Sequence, residues 1–140
     1  MTNYLFKEKF KIADLVDAQS QVRRVVIYEP EEYLAALYGH YLTQHNFDIK
    51  HCPQAGDLKD ILVSYLPWLL ILNIEAGNSQ YNLVFNLSRQ FPNMRIITMG
   101  YNTGGEVVKE LMDAGICGHI DRRLSRPKDL IYIVQAVLNN

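Results

Sequence analysis

Short β-branched and apolar runs alternate with stretches of helical apolar spacing, five times over, and nothing else in the chain constrains its fold as much. Val25-Val26-Ile27-Tyr28 is the first run. Glu29-Pro30-Glu31-Glu32 follows, with proline and acids where a helix would start. Tyr33, Leu34, Leu37, Tyr38, Tyr41 and Leu42 then recur at helical spacing, and Asn46 closes that helix. Phe47-Asp48-Ile49 opens a second strand, ending near Cys52. Asp57 begins a helix with Leu58, Ile61, Leu62 and Tyr65, ended by Pro67. Leu69 to Leu72 are apolar on consecutive positions, as in a strand buried on both faces. Leu83, Val84, Leu87 and Phe91 mark a third helix, and Ile96 to Met99 a fourth strand. Val107, Val108, Leu111 and Met112 make a helix with Gly115 just past its end. Ile116 to Ile120 is the fifth strand, and a last helix is read over Leu124 to Leu138.

Strands that alternate with helices imply a parallel sheet with helices on both faces. The connections are short, which leaves right-handed crossovers. Five units predict a flavodoxin-like, doubly wound sheet of order 2-1-3-4-5. Functional groups in that order gather at the carboxyl ends of strands one and three, either side of the switch point. Cys52 and Cys117 fall on opposite edges of such a sheet, too far apart for a disulfide. Both are expected to be buried thiols.

The remaining composition mainly excludes. The 140 residues carry 14 basic and 15 acidic side chains, a net charge of −1 that gives no electrostatic case for nucleic acid. Apolar runs such as Trp68 to Leu72 are far short of the roughly 18 residues of a membrane span. The amino terminus shows no signal-peptide pattern, so a cytoplasmic protein with no membrane partner is expected. His40, His45, His51 and His119 have no metal-ligand spacing, and no cofactor is expected. Residues 1–23 lie outside the alternation. There Leu5, Ile12, Leu15 and Val22 recur on one helical stripe, with Phe6, Phe10 and Val16 beside it, predicting an amphipathic helix.

Residues 24–140 resemble the response-regulator receiver domain of the chemotaxis-regulator type. Pro67-Trp68-Leu69-Leu70-Ile71-Leu72-Asn73 is similar to the family's proline–apolar–aspartate third strand. Ala114-Gly115 followed by Gly118-His119-Ile120 resembles its helix end and fifth strand. Pro127-Lys128-Asp129-Leu130 resembles its proline–acid–leucine start to the last helix. The resemblance implies a phosphoryl-transfer pocket. It would hold two acids after the first strand for a divalent metal, a nucleophilic aspartate ending the third, a hydroxyl ending the fourth and a lysine ending the fifth. Those positions here are Tyr28 and Glu29, Asn73, Gly100, and Arg122.

Every role but one is altered. A carboxamide such as Asn73 is not a nucleophile and forms no acyl phosphate. Tyr28 puts a phenol where a carboxylate is needed, and magnesium wants several charged oxygens in a near-ideal octahedron. Gly100 has no hydroxyl, although a register two residues earlier would place Thr98 there. Arg122 keeps a positive charge and is expected to bond Glu29 and the Asn73 amide.

These readings predict a phosphorylation-independent pseudo-receiver: not an enzyme, but an interaction module in a signalling system. Its partner would be another signalling protein or a second copy of itself. Tyr101, Val107, Val108, Met112 and His119, with the last helix, form the expected partner face, and the stripe Leu5, Ile12, Leu15 and Val22 is a second candidate. Arg123, Arg126 and Lys128 extend Arg122 into a basic cluster for an acidic partner, or a solvated loop balanced by Asp121 and Asp129. With the chain read as ending at the fifth helix, direct DNA binding is not expected. A flavodoxin-like enzyme or cofactor carrier is the alternative on the same fold. Its phosphate-binding loop would have to be Glu29-Pro30-Glu31-Glu32, which repels phosphate. A ligand-gated pseudo-receiver, with a small molecule in the pocket, is the other alternative.

Overall fold

A computed structural model describes residues 22–75, 80–101 and 103–139. The predicted amphipathic helix therefore lies outside the described residues, apart from Val22. Strands β1 (Arg23–Tyr28), β2 (Phe47–Cys52), β3 (Leu69–Asn73), β4 (Arg95–Gly100) and β5 (Gly118–Asp121) form one parallel sheet of order β2-β1-β3-β4-β5. The helices between and after them are α1 (Glu32–Thr43), α2 (Leu58–Tyr65), α3 (Tyr81–Gln90), α4 (Gly105–Ala114) and α5 (Leu130–Leu138). This is the expected doubly wound architecture.

The period of two along each strand divides the core. Val25, Ile27, Leu69, Ile71, Ile97 and Met99 face one layer, where Tyr38 and Leu42 of α1 and Leu130 and Val134 of α5 cover them. Val26, Leu70, Leu72 and Ile96 face the other, under Leu58 and Leu62 of α2, Val84 and Leu87 of α3, and Leu111 of α4. The central strand β3 is buried on both sides, which is why its sequence is an unbroken apolar run. Tyr33 shares the helical spacing of α1 but is exposed.

Local chemistry ends the elements. Gly115 takes φ +129° after α4, and its backbone N–H bonds to the carbonyls of Leu111 and Met112. A Cβ there would lie 2.8 Å from Ser88 Oγ, so glycine is needed for both conformation and space. Asn46, at φ 68°, turns the chain from α1 into β2.

Two expectations need correction. Cys52 is buried, but Cys117 is exposed. It sits at the mouth of β5, an edge strand, where its backbone N–H joins the ladder through Ile96 O. The last helix does not begin at Leu124. Arg126 is extended (φ −84°, ψ 156°), as the residue before a proline prefers, and the helix enters through a 3₁₀ turn at Pro127–Asp129. Leu124 is left exposed in the preceding loop.

Candidate functional site

Three strand ends converge beside the switch point between β1 and β3. Glu29 follows β1, Asn73 ends β3, and Arg122 follows β5. Glu29 is only 2% exposed. Its backbone is pinned on both sides, the N–H donating to Cys52 O at 3.1 Å and the carbonyl accepting from His51 Nε2 at 2.8 Å. Its carboxylate accepts from Glu31 N–H at 3.0 Å, Asn73 Nδ2 at 3.3 Å and Arg122 Nη1 at 3.3 Å. Arg122 Nη1 also donates to Asn73 Oδ1 at 3.3 Å. Each member of the triad thus touches the other two.

Arg122 is held by rings as well as by charge. Its guanidinium lies 4.6 Å from the Tyr101 ring centroid and 5.8 Å from that of Tyr38, and its side chain is 5% exposed. Nε and Nη2 are buried with no hydrogen-bond partner among the described residues. Burial raises the Tyr38 hydroxyl pKa in spite of the nearby cation, so the phenol stays neutral. Tyr38 was not singled out by sequence reasoning. Its one signal was a hydroxyl-bearing ring in the middle of the apolar stripe of α1.

Tyr28 and Gly100 stand at strand ends but contribute differently. Tyr28 packs against the layer under α2, α3 and α4, and burial, then the charges of Cys52, Glu29 and Glu75, raise its pKa. Gly100 ends β4, and its carbonyl accepts from Arg122 N–H at 2.8 Å. A Cβ on Gly100 would lie 2.7 Å from Thr103 Oγ1 and 3.0 Å from Ile74 Cγ1. Thr103, buried and missed by the sequence reading, fills the space a side chain at 100 would use. Thr98 is fully buried inside β4, where its hydroxyl meets His119 Nδ1 at 2.8 Å.

The triad forms the floor of a cavity of about 530 Å³ walled by Pro30, Glu31, Leu34, Ile74, Glu75 and Tyr101. The donor set does not fit a magnesium ion. The carboxylate at its floor is already paired to a guanidinium, the Asn73 oxygen accepts from the same group, and Tyr28 is a neutral phenol packed against the other layer. Among the described residues, no group of three or more His, Cys, Asp or Glu side chains is arranged to hold a metal.

The other candidates are scattered. Tyr101 and Met112 are exposed, Val107 and Val108 half-buried. His119 is half-buried, and desolvation lowers its pKa against the pull of Asp121. The basic cluster divides: Arg122 is internal, Arg123 pairs with Asp121 at 3.1 Å, and Arg126 pairs with Asp129 at 3.3 Å. Lys128 is exposed. Of the amino-terminal stripe, only Val22 is described.

No family model matches the chain, and no curated protein matches it. Solved structures do. A response regulator from Thermotoga maritima superposes with a TM-score of 0.77 at 13% identity, covering 86% of this chain and 100% of that one. HP1043, an orphan response regulator of H. pylori, gives 0.75 at 15% identity, covering 83% and 96%. The signal receiver domain of a putative Luxo repressor protein from Vibrio parahaemolyticus gives 0.74 at 20% identity, covering 85% and 92%. The fold is the receiver fold. Among the described residues, no helix is long and apolar enough to cross a membrane.

Proposed function

We propose that the protein is a phosphorylation-independent pseudo-receiver, a cytoplasmic interaction module of a signalling system rather than an enzyme. The closed triad of Glu29, Asn73 and Arg122 carries this reading. A phosphoryl-transfer site needs a carboxylate nucleophile and free carboxylate oxygens for a metal. Here the nucleophile's place is held by an amide, and the carboxylate beside it is neutralised by a guanidinium in a nearly dry setting. The charge pattern that phosphorylation would create is replaced by a fixed set of internal bonds. The molecule then acts by shape, and the partner is another signalling protein or a second copy. The exposed Tyr101 and Met112 of the α4 side and Tyr132 of α5 supply the apolar contacts for it.

Incubation with a small-molecule phosphodonor and magnesium, read by intact mass, tests this. No adduct is expected for the native chain. Asn73→Asp alone is not expected to restore phosphorylation at a normal rate, because with Tyr28 a phenol the metal site is still one carboxylate short. A stoichiometric phosphoryl adduct on any residue of this pocket overturns the reading.

A further inference from the structure

Arg122 is bonded through only one of its three guanidinium nitrogens. Nη1 donates to Glu29 Oε1 and to Asn73 Oδ1, both at 3.3 Å. Nε and Nη2 are buried with no hydrogen-bond partner among the described residues. Their N–H groups run parallel along one edge of the guanidinium, the fork that meets both oxygens of a carboxylate at once. Leaving buried donors unpaired is costly, and native folds keep few of them. The Arg122 side chain is 5% exposed and lines the cavity of about 530 Å³ above the triad. The Tyr101 ring, 49% exposed and 4.6 Å from the guanidinium, is a cover that can turn outward into solvent without disturbing the core.

The walls say what else an occupant carries. Glu29, Glu31 and Glu75 line the cavity, three carboxylates to one guanidinium. That balance repels a dianion such as phosphate and calls for a positive group on the ligand. Glu31 is exposed and has no ion pair among the described residues. Its backbone N–H bonds at 3.0 Å to the same Glu29 carboxylate that Arg122 holds, so acid and fork stand within reach of one small molecule. Pro30, Leu34, Ile74 and the Tyr101 ring supply apolar wall, and the volume is that of a small-molecule pocket.

We propose that this cavity binds a small zwitterion of the amino-acid type, its carboxylate on Nε and Nη2 of Arg122 and its ammonium beside Glu31. The proposal deepens the reading above and rests on it, since a pocket that takes neither metal nor phosphoryl group is open to another ligand. Tyr101 belongs to the expected partner face, so turning its ring outward links occupancy of the cavity to partner contact.

The full chain is titrated with each standard L-amino acid in turn, and with acetate, methylamine and inorganic phosphate as single-charge-type probes, by thermal melt and isothermal calorimetry. No phosphodonor or magnesium is present, so absence of binding here and a phosphoryl adduct in the earlier test are separate results. At least one amino acid with an apolar or aromatic side chain is expected to raise the melting temperature and give a one-to-one isotherm, with the three probes inactive. Arg122→Lys keeps the charge beside Glu29 but has no fork, and is expected to weaken binding about tenfold. Glu31→Gln, at an exposed position, is expected to weaken it about threefold, and decides alone if the lysine variant does not fold. No binding by any amino acid overturns the proposal. So does equal binding of acetate or phosphate, the mark of a simple anion site, or an affinity that neither substitution changes.

Discussion

The two ends of the sheet solve opposite problems. At the carboxyl end, buried polar groups bond one another: Glu29 accepts three donors, and Arg122, near two rings, donates to Glu29 and Asn73 through Nη1 while its Nε and Nη2 have no partner among the described residues. At the amino end, Leu66 and Val22 are exposed, and the half-buried Trp68 is flanked by Phe47, Arg23 and Arg95. In a doubly wound sheet the carboxyl end is where ligands are usually met. Here the Glu29 carboxylate at that end is bonded internally, and exposed apolar side chains stand at the other. A carboxylate bonded in this way fixes the shape around it.

Breaking the closed end has the largest expected effect. Arg122→Met leaves the Glu29 carboxylate buried without its cation. Removing one partner of a buried pair costs about 3–5 kcal/mol. Glu29→Gln in the same molecule is expected to recover much of that loss, because no unpaired charge then remains. Urea unfolding of the two singles and the double measures it. A loss for Arg122→Met below about 1 kcal/mol, the size of a surface pair, would erase the contrast between the two ends.

Gly100→Ser comes next. Its new Cβ meets Thr103 Oγ1 at 2.7 Å and Ile74 Cγ1 at 3.0 Å. Overpacking of this kind costs about 1–3 kcal/mol. Thr103→Ala removes the nearer obstacle, so adding it to Gly100→Ser is expected to restore most of the stability. Thermal melts of the single and the double decide whether position 100 is bare because Thr103 fills its place.

The sheet was legible because its strands obey simple burial. Leu69 to Leu72 read as a central strand, and four consecutive fully buried side chains are what two covered faces require. That the ends of the first and third strands lie together followed from counting β-α units, and the place of Arg122 after the fifth came from the receiver resemblance. What each side chain does there was less legible. Arg122, Arg123 and Arg126 look alike as a cluster, yet Arg123 and Arg126 find acids two and three residues away, whereas Arg122 meets Glu29 from 93 residues away. Spacing along the chain reports only the local pairs; the long one was expected from the receiver resemblance, which set Arg122 against Glu29 and Asn73, and both bonds are present. Thr103 in the space beside Gly100, and Tyr38 against Arg122, are likewise products of packing between elements. Cys117 was misread because a short apolar run carries no sign that its strand will be an edge.

Smaller effects test the rims. Arg23 sits 4.7 Å over the Trp68 ring, so Arg23→Met is expected to cost only about 0.5–1 kcal/mol, read by urea unfolding. The least is expected of His119. Desolvation holds its pKa below the ordinary 6.5, and Asp121 pulls it only part of the way back. Above the ordinary value both folded and unfolded chains carry the neutral ring, and the group leaves stability unchanged. As pH falls through 6.5, the unfolded chain takes up the proton first, so stability is lost until the folded-state value is passed. Asp121 and Asp129 do not blur this window, because their carboxyls are held below the ordinary 3.8 and lose their contribution only in stronger acid. His119→Gln keeps an amide to meet Thr98 and removes the titration. Urea midpoints followed from about pH 7.5 down to about pH 5 should therefore fall less steeply for His119→Gln than for the native chain. Parallel slopes would mean that the ring is as well solvated folded as unfolded. The Thr98 contact, a cross-strand pair of β4 and β5, would then do nothing to hold the His119 ring away from water.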